Sequence, residues 1–170
     1  MTPQVAAGVG LGGLAAAGAG GSAIAYAAGA FNKKDEVVTY ANFEAYVRSK
    51  NWTYIGGLED TANNSIKNLL DEDKTSQKNG YRDKLSAEWG KMKHSDLTGT
   101  VKPTKPSEEA SALFKSSDAA LDKSSDISAF VKAWCEVKKD KIPGNNEKWT
   151  EDTLTADEDW KVFEEVCLIK

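Results

Sequence analysis

Residues 127–135 read "ISAFVKAWC", and their spacing decides the fold class. Ile127, Phe130, Val131, Trp134 and Cys135 fall at i, i+3, i+4, i+7 and i+8. On a 3.6-residue repeat, that set covers one face of a helix. A half-buried strand would instead place apolar residues at every second position. No run in this chain alternates well enough to force one, and Val37-Val38-Thr39-Tyr40 is the single strand candidate. Pro143-Gly144 follows as a stop, because proline cannot continue a helix and glycine favours its end.

The helical spacing recurs on both sides of this segment. Trp160, Phe163, Val166 and Cys167 line a last helix, with Thr155-x-x-Glu158 read as the capping box that opens it. Tyr81, Leu85, Trp89 and Met92, at steps of four, four and three, predict an amphipathic helix that contains Gly90. Tyr40, Phe43, Tyr46 and Val47 form a further stripe ending at Ser49-Lys50-Asn51, and Ile66, Leu69 and Leu70 a short one. Residues 107–115 read as helical with Ala110, Leu113 and Phe114 inward. Residues 94–106 read as a loop broken by Gly99, Pro103 and Pro106, and residues 116–126 as polar with a short turn. The expectation for residues 33–170 is a small all-α domain of amphipathic helices. All five tryptophans lie in it, at Trp52, Trp89, Trp134, Trp149 and Trp160, which favours folding over disorder.

Residues 1–32 have another character. They hold 8 of the 14 glycines and none of the 48 Lys, Arg, Asp and Glu residues. The stretch "VAAGVGLGGLAAAGAGGSAIAYAAGAF" at 5–31 allows three readings. Gly8-Val9-Gly10-Leu11-Gly12-Gly13 matches a dinucleotide-binding fingerprint. That motif needs a buried strand before the glycines and another leading to the acid, here Asp35, and neither is present. A removable export signal needs a basic start, which Met-Thr-Pro-Gln lacks, although small-x-small sites occur at Ala23-Ile24-Ala25 and Ala28-Gly29-Ala30. A membrane helix needs about 20 uncharged, mostly apolar residues, and this stretch is long enough. Gly13, Ala17, Gly21, Ala25 and Gly29 form a small-residue stripe along it, which another helix backbone could approach closely. Tyr26 and Phe31, followed by Lys33-Lys34, look like an interfacial belt. A retained membrane helix leads; a cleaved signal and a Gly-rich soluble tail stay open.

The net charge of −4, with only Arg48 and Arg82 as arginines, argues against a nucleic-acid partner, which needs a basic face. One histidine, His94, and two cysteines are too few for a structural zinc site. A catalytic cysteine needs a base beside it, and no motif ties His94 to either thiol. The acid-rich stretch 147–165 lacks the oxygen spacing and central glycine of a calcium loop; its acids at 157–159 suit a helix start. No catalytic residue, cofactor, metal site or small-molecule substrate follows from the sequence. Trp52 and Tyr54 in "NWTYIGG" read as aromatics capping a core beside a turn, or as an exposed platform. Cys135 and Cys167 read either as two buried thiols or as a disulfide joining the C-terminal helices. An even count beside an export-type leader favours the disulfide, hence an extracellular domain. Lys33-Lys34 point the other way, because positive charge after a membrane helix favours the cytoplasm.

An uncharged start, a Gly/Ala-rich apolar segment, "YVRSKNW" at 46–52, "FVKAWCE" at 130–136 and a second, near-terminal cysteine occur together. In this layout the chain resembles the paralogous families of short uncharacterised proteins of hemotrophic mycoplasmas. The resemblance implies a surface or membrane-anchored protein of wall-less, blood-cell-attached bacteria, with paralog diversity suited to antigenic variation or host contact. It carries over Cys135 and Cys167 as a structural pair and no binding or catalytic residue. The expectation is therefore a single-pass membrane protein whose soluble domain is extracellular, with the membrane, a host protein or a second copy as partners. The alternative is a cytoplasm-facing scaffold that assembles through its Gly/Ala helix.

Overall fold

A computed structural model describes residues 37–99, 102–144 and 147–170. The Gly/Ala-rich leader, with the stripe Gly13, Ala17, Gly21, Ala25 and Gly29, lies outside the described residues. Among those described, no helix is long and apolar enough to cross a membrane.

The described chain is mostly helical. Helix α1 spans Phe43–Ser49, α2 Ile66–Glu72, α3 Tyr81–Glu88, α4 Ala110–Leu113, α5 Ser124–Lys139, α6 Glu151–Ala156 and α7 Glu158–Val166. The longest, α5, buries Ile127, Phe130, Val131, Trp134 and Cys135 as its spacing predicts, against α2 and α7. Lys138 and Lys139 occupy its last turn, where the helix dipole favours positive charge. Helix α7 buries Trp160, Val162, Phe163 and Val166 and also packs on α3.

Two short antiparallel ladders modify the all-α expectation. Strand β1 (Thr39–Tyr40) pairs with β3 (Trp149–Thr150), and β2 (Thr53–Tyr54) with β4 (Leu168–Ile169). Each joins an early segment to a late one, so the first part of the described domain is fastened at two places to its C-terminal third. Of the strand candidate 37–40, only Thr39 and Tyr40 pair; Val37 and Val38 remain exposed. Two-residue strands are too short to produce a period of two.

Several helix ends differ from the sequence reading. The helix expected to include Gly90 and Met92 stops at Glu88, with Trp89 as its cap residue. Glycine is a poor helix former, and the carbonyls of Trp89 and Met92 instead accept bonds, each of 2.6 Å, from the Lys105 ammonium in the following loop. Trp89 and Met92 stay buried without the helix. The segment 107–115 is helical only over Ala110–Leu113, and the loop 94–106 contains a 3-10 turn at His94–Asp96. Helix α5 ends at Lys139, before Pro143 is reached.

The expected Thr155–Glu158 capping box is replaced by two other caps. Thr150 and Thr153 cap α6 reciprocally, while Asp157 caps α7 by accepting from the amides of Asp159 and Trp160 at 3.0 and 3.1 Å. Thr155 instead donates back to the Glu151 carbonyl inside α6. An aspartate one residue before a helix satisfies its orphan amides more directly than a threonine three residues ahead.

Candidate functional site

The two cysteines meet where α5, α7 and the β2–β4 ladder converge. Their sulfurs are 1.98 Å apart and their Cα atoms 5.8 Å apart, forming a disulfide. Both residues are fully buried. Cys167 caps the end of α7, and its carbonyl accepts from the Ile55 amide at 2.9 Å, extending the β2–β4 ladder by one bond. Neither sulfur is a thiol, so no nucleophile is present at these positions, and His94 is exposed elsewhere, in the 3-10 turn.

Gly56 presses on the cystine from the turn after β2. A Cβ at this position would lie 2.7 Å from the Cys135 Cβ and 2.6 Å from Cζ of Tyr54, and closer still to the Tyr54 hydroxyl. The Cys135 atom belongs to a cross-linked helix and cannot move aside. Gly56→Ala is therefore expected to cost about 1–3 kcal/mol through overpacking, measured by urea unfolding. Gly57→Ala, where a Cβ would meet its nearest atom at 3.5 Å, is expected to cost well under that. Equal losses at the two glycines would show that the cystine does not dictate this contact.

Trp52 and Tyr54 cap the core and do not form a free platform. Tyr54 stacks on Phe163 with ring centroids 6.0 Å apart, and its hydroxyl donates to Glu136 at 2.6 Å. Trp52 lies against Trp160 on one side, and the Lys170 ammonium sits 5.1 Å from its ring. Tyr81 is buried and donates to the Val166 carbonyl at 2.6 Å, while Tyr46 donates to Glu151 at 2.8 Å.

Burial raises the phenol pKa at all three tyrosines, because it disfavours the charged phenolate. Tyr46 is pushed up to about 12, by burial first and then by its bond to the Glu151 carboxylate. Tyr54 and Tyr81 are pushed higher, with burial the leading cause for both. A group whose folded pKa is raised contributes stability that is complete below its unfolded pKa, for tyrosine about 10, and lost above it. Stability is thus expected to decline with rising pH from about 10 onward, with Tyr46 losing its share through about 12. Urea midpoints taken at stepped alkaline pH check this; a midpoint that rises there contradicts it.

The charged side chains of the interior serve the fold. Arg82 is 2 % exposed, yet among the described residues its guanidinium meets no carboxylate. Its guanidinium donates to the carbonyls of Leu70, Lys115, Ser117 and Ala119, pinning the segment between α4 and α5 to the end of α2. Asp73, also buried, accepts from the amides of Asn79, Gly80 and Arg82 and so shapes the entry to α3. Lys138 bridges Asp96 and Asp159 at 3.4 and 2.8 Å, and Lys141 bridges Asp157 and Asp159 at 2.8 Å each. Trp134 joins this chain of charges by donating from Nε1 to Asp96 at 3.0 Å.

A half-open cleft of about 320 Å³ lies between Tyr81 and the C-terminal residues. Its floor includes Leu69, Leu168 and Ile169, and its charged rim is self-paired: Lys84 with Glu165 at 3.3 Å, Lys170 with Glu164 at 3.1 Å. Among the described residues, no three His, Cys, Asp or Glu side chains gather as metal ligands. The residues that organise this region and that sequence spacing does not flag are Gly56, Arg82 and Lys105. Arg82 had one available signal, as one of only two arginines among 22 basic residues. Comparison with family models, with curated proteins and with solved structures finds no match to this chain.

Proposed function

We propose that the chain is a membrane-anchored surface protein. The described residues, from 37 onward, form a cystine-stapled helical domain; it is held outside the cell, where it works by contact with host molecules or as a variable antigen. This is the role expected of the hemotrophic mycoplasma families that the chain resembles. The observation that carries the reading is the buried Cys135–Cys167 bond, since such bonds form and persist in oxidising compartments. The apolar, charge-free stretch at 5–31 supports anchoring. The self-paired rim of the 320 Å³ cleft supports a contact role over a chemical one.

Protease treatment of intact cells tests the placement. The domain is expected to be cut without lysis. A domain that stays whole until the cells are broken overturns the outward placement. It would favour a cytoplasm-facing scaffold assembling through the Gly/Ala segment, the reading that Lys33-Lys34 support.

A further inference from the structure

Among the described residues, three large apolar side chains are strongly exposed: Val37 at 65 %, Val38 at 67 % and Ile142 at 57 %. Two are adjacent in sequence and the third is far away, yet the fold brings both segments to one ladder, Val37 and Val38 before its start and Ile142 beside its Tyr40–Trp149 pair. Val37 and Val38 lead directly into β1, which pairs with β3. Ile142 follows Lys141, whose carbonyl accepts from Trp149 Nε1 of β3 at 3.1 Å. Asn42, just beyond β1, donates to Asp140 at 3.4 Å. This ladder is also the point where the chain enters the folded domain. Residues 32–36 alone separate the apolar stretch ending at Phe31 from Val37. Six residue steps span at most about 20 Å, so a bilayer holding that stretch stays within reach of the ladder.

We propose that this apolar corner is a membrane-docking surface, with Val37, Val38 and Ile142 seated in the interface of the bilayer that anchors the chain. The proposal rests on the anchoring half of the function given above. A tether this short keeps the local lipid concentration high, so three apolar side chains suffice for a contact too weak to form from solution. The lipid chemistry is that of a neutral interface. Glu147, Glu151 and Asp152 sit beside β3, with Lys148 and Lys50 near them, and Lys50 is committed to Glu151 at 2.7 Å. Such a mixed surface gains nothing from anionic headgroups, so docking is expected to be insensitive to phosphatidylglycerol and to salt.

The full chain reconstituted in phosphatidylcholine vesicles and footprinted by a lipid-dissolved diazirine tests this. The expected pattern is labelling within residues 5–31 and at Val37, Val38 and Ile142. Ile142 decides, because it is remote in sequence from the anchor and can reach lipid only if this corner faces it. The variant V37S/V38S is expected to lose most labelling at Ile142 while unfolding at an unchanged urea midpoint. Labelling confined to residues 1–36 overturns the docking surface and leaves the anchor standing. Labelling at the three apolar residues without labelling in 5–31 overturns the tethered docking, because the contact would then form without the anchor it depends on. No labelling in either region overturns both.

Discussion

Replacing both cysteines with alanine is expected to lower the stability of the domain by about 3.7 kcal/mol, the loop-closure entropy of a bond between residues 32 apart. Small domains are stable by about 5–15 kcal/mol, so this loss is a quarter or more of the total. Cys167 sits between the end of α7 and β4, which is held against β2 by a two-residue ladder. Without the bond, the end of α7 keeps the burial of Val166 and the Tyr81 bond to its carbonyl, and the ladder keeps its backbone bonds, but the covalent tie to α5 is lost. A thiol reductant should lower the urea midpoint of the native chain and leave that of the Cys135→Ala/Cys167→Ala variant unchanged. A double variant within about 1 kcal/mol of the native chain would show that the denatured state is not constrained by this bond.

The second large effect is expected at Trp160. This fully buried ring meets Phe43, Tyr46 and Phe163 at centroid distances of 5.1, 5.0 and 5.7 Å, and Trp52 stacks on it at 6.4 Å. It thereby joins α1, the segment before β2, and α7. Trp160→Ala is expected to cost about 3–5 kcal/mol, the range for deleting a large buried aromatic. Phenylalanine separates packing from polarity here. Trp160 Nε1 has no hydrogen-bond partner among the described residues, so Trp160→Phe loses only ring area. Trp134 is equally buried, but its Nε1 donates to Asp96. Trp134→Phe should therefore cost more than Trp160→Phe by about 1.5–3 kcal/mol, the value of a bond to a charged acceptor. Equal costs for the two replacements would contradict this assignment.

Helix identity was readable because it depends on spacing within one segment. The faces of α5 and α7 appear in the sequence as i, i+3, i+4 runs, and the fold buries those same residues. The ends of helices were less readable because distant groups set them. Lys105 terminates α3 from a loop, and Asp157 outcompetes the Thr155–Glu158 box. The ladders were hidden for a related reason: their partners are more than a hundred residues apart and only two residues long. Apart from the rarity of arginine in this chain, nothing marked Arg82 as an interior residue, because its partners are carbonyls, which every residue type carries. Gly56 likewise depends on Cys135 and Tyr54 arriving on either side of it. The cysteine pair was visible as a pair because it is the only one available, whereas the turn packed on it was not.

The outward, cystine-stapled placement is tested most directly by the redox state of Cys135 and Cys167 in the native cell. Cells quenched in acid, then alkylated before and after reduction, report it by mass spectrometry of the two cysteine peptides. The expected result is no alkylation before reduction and alkylation of both cysteines after it. Alkylation of both without reduction would contradict it and place the domain in a reducing compartment.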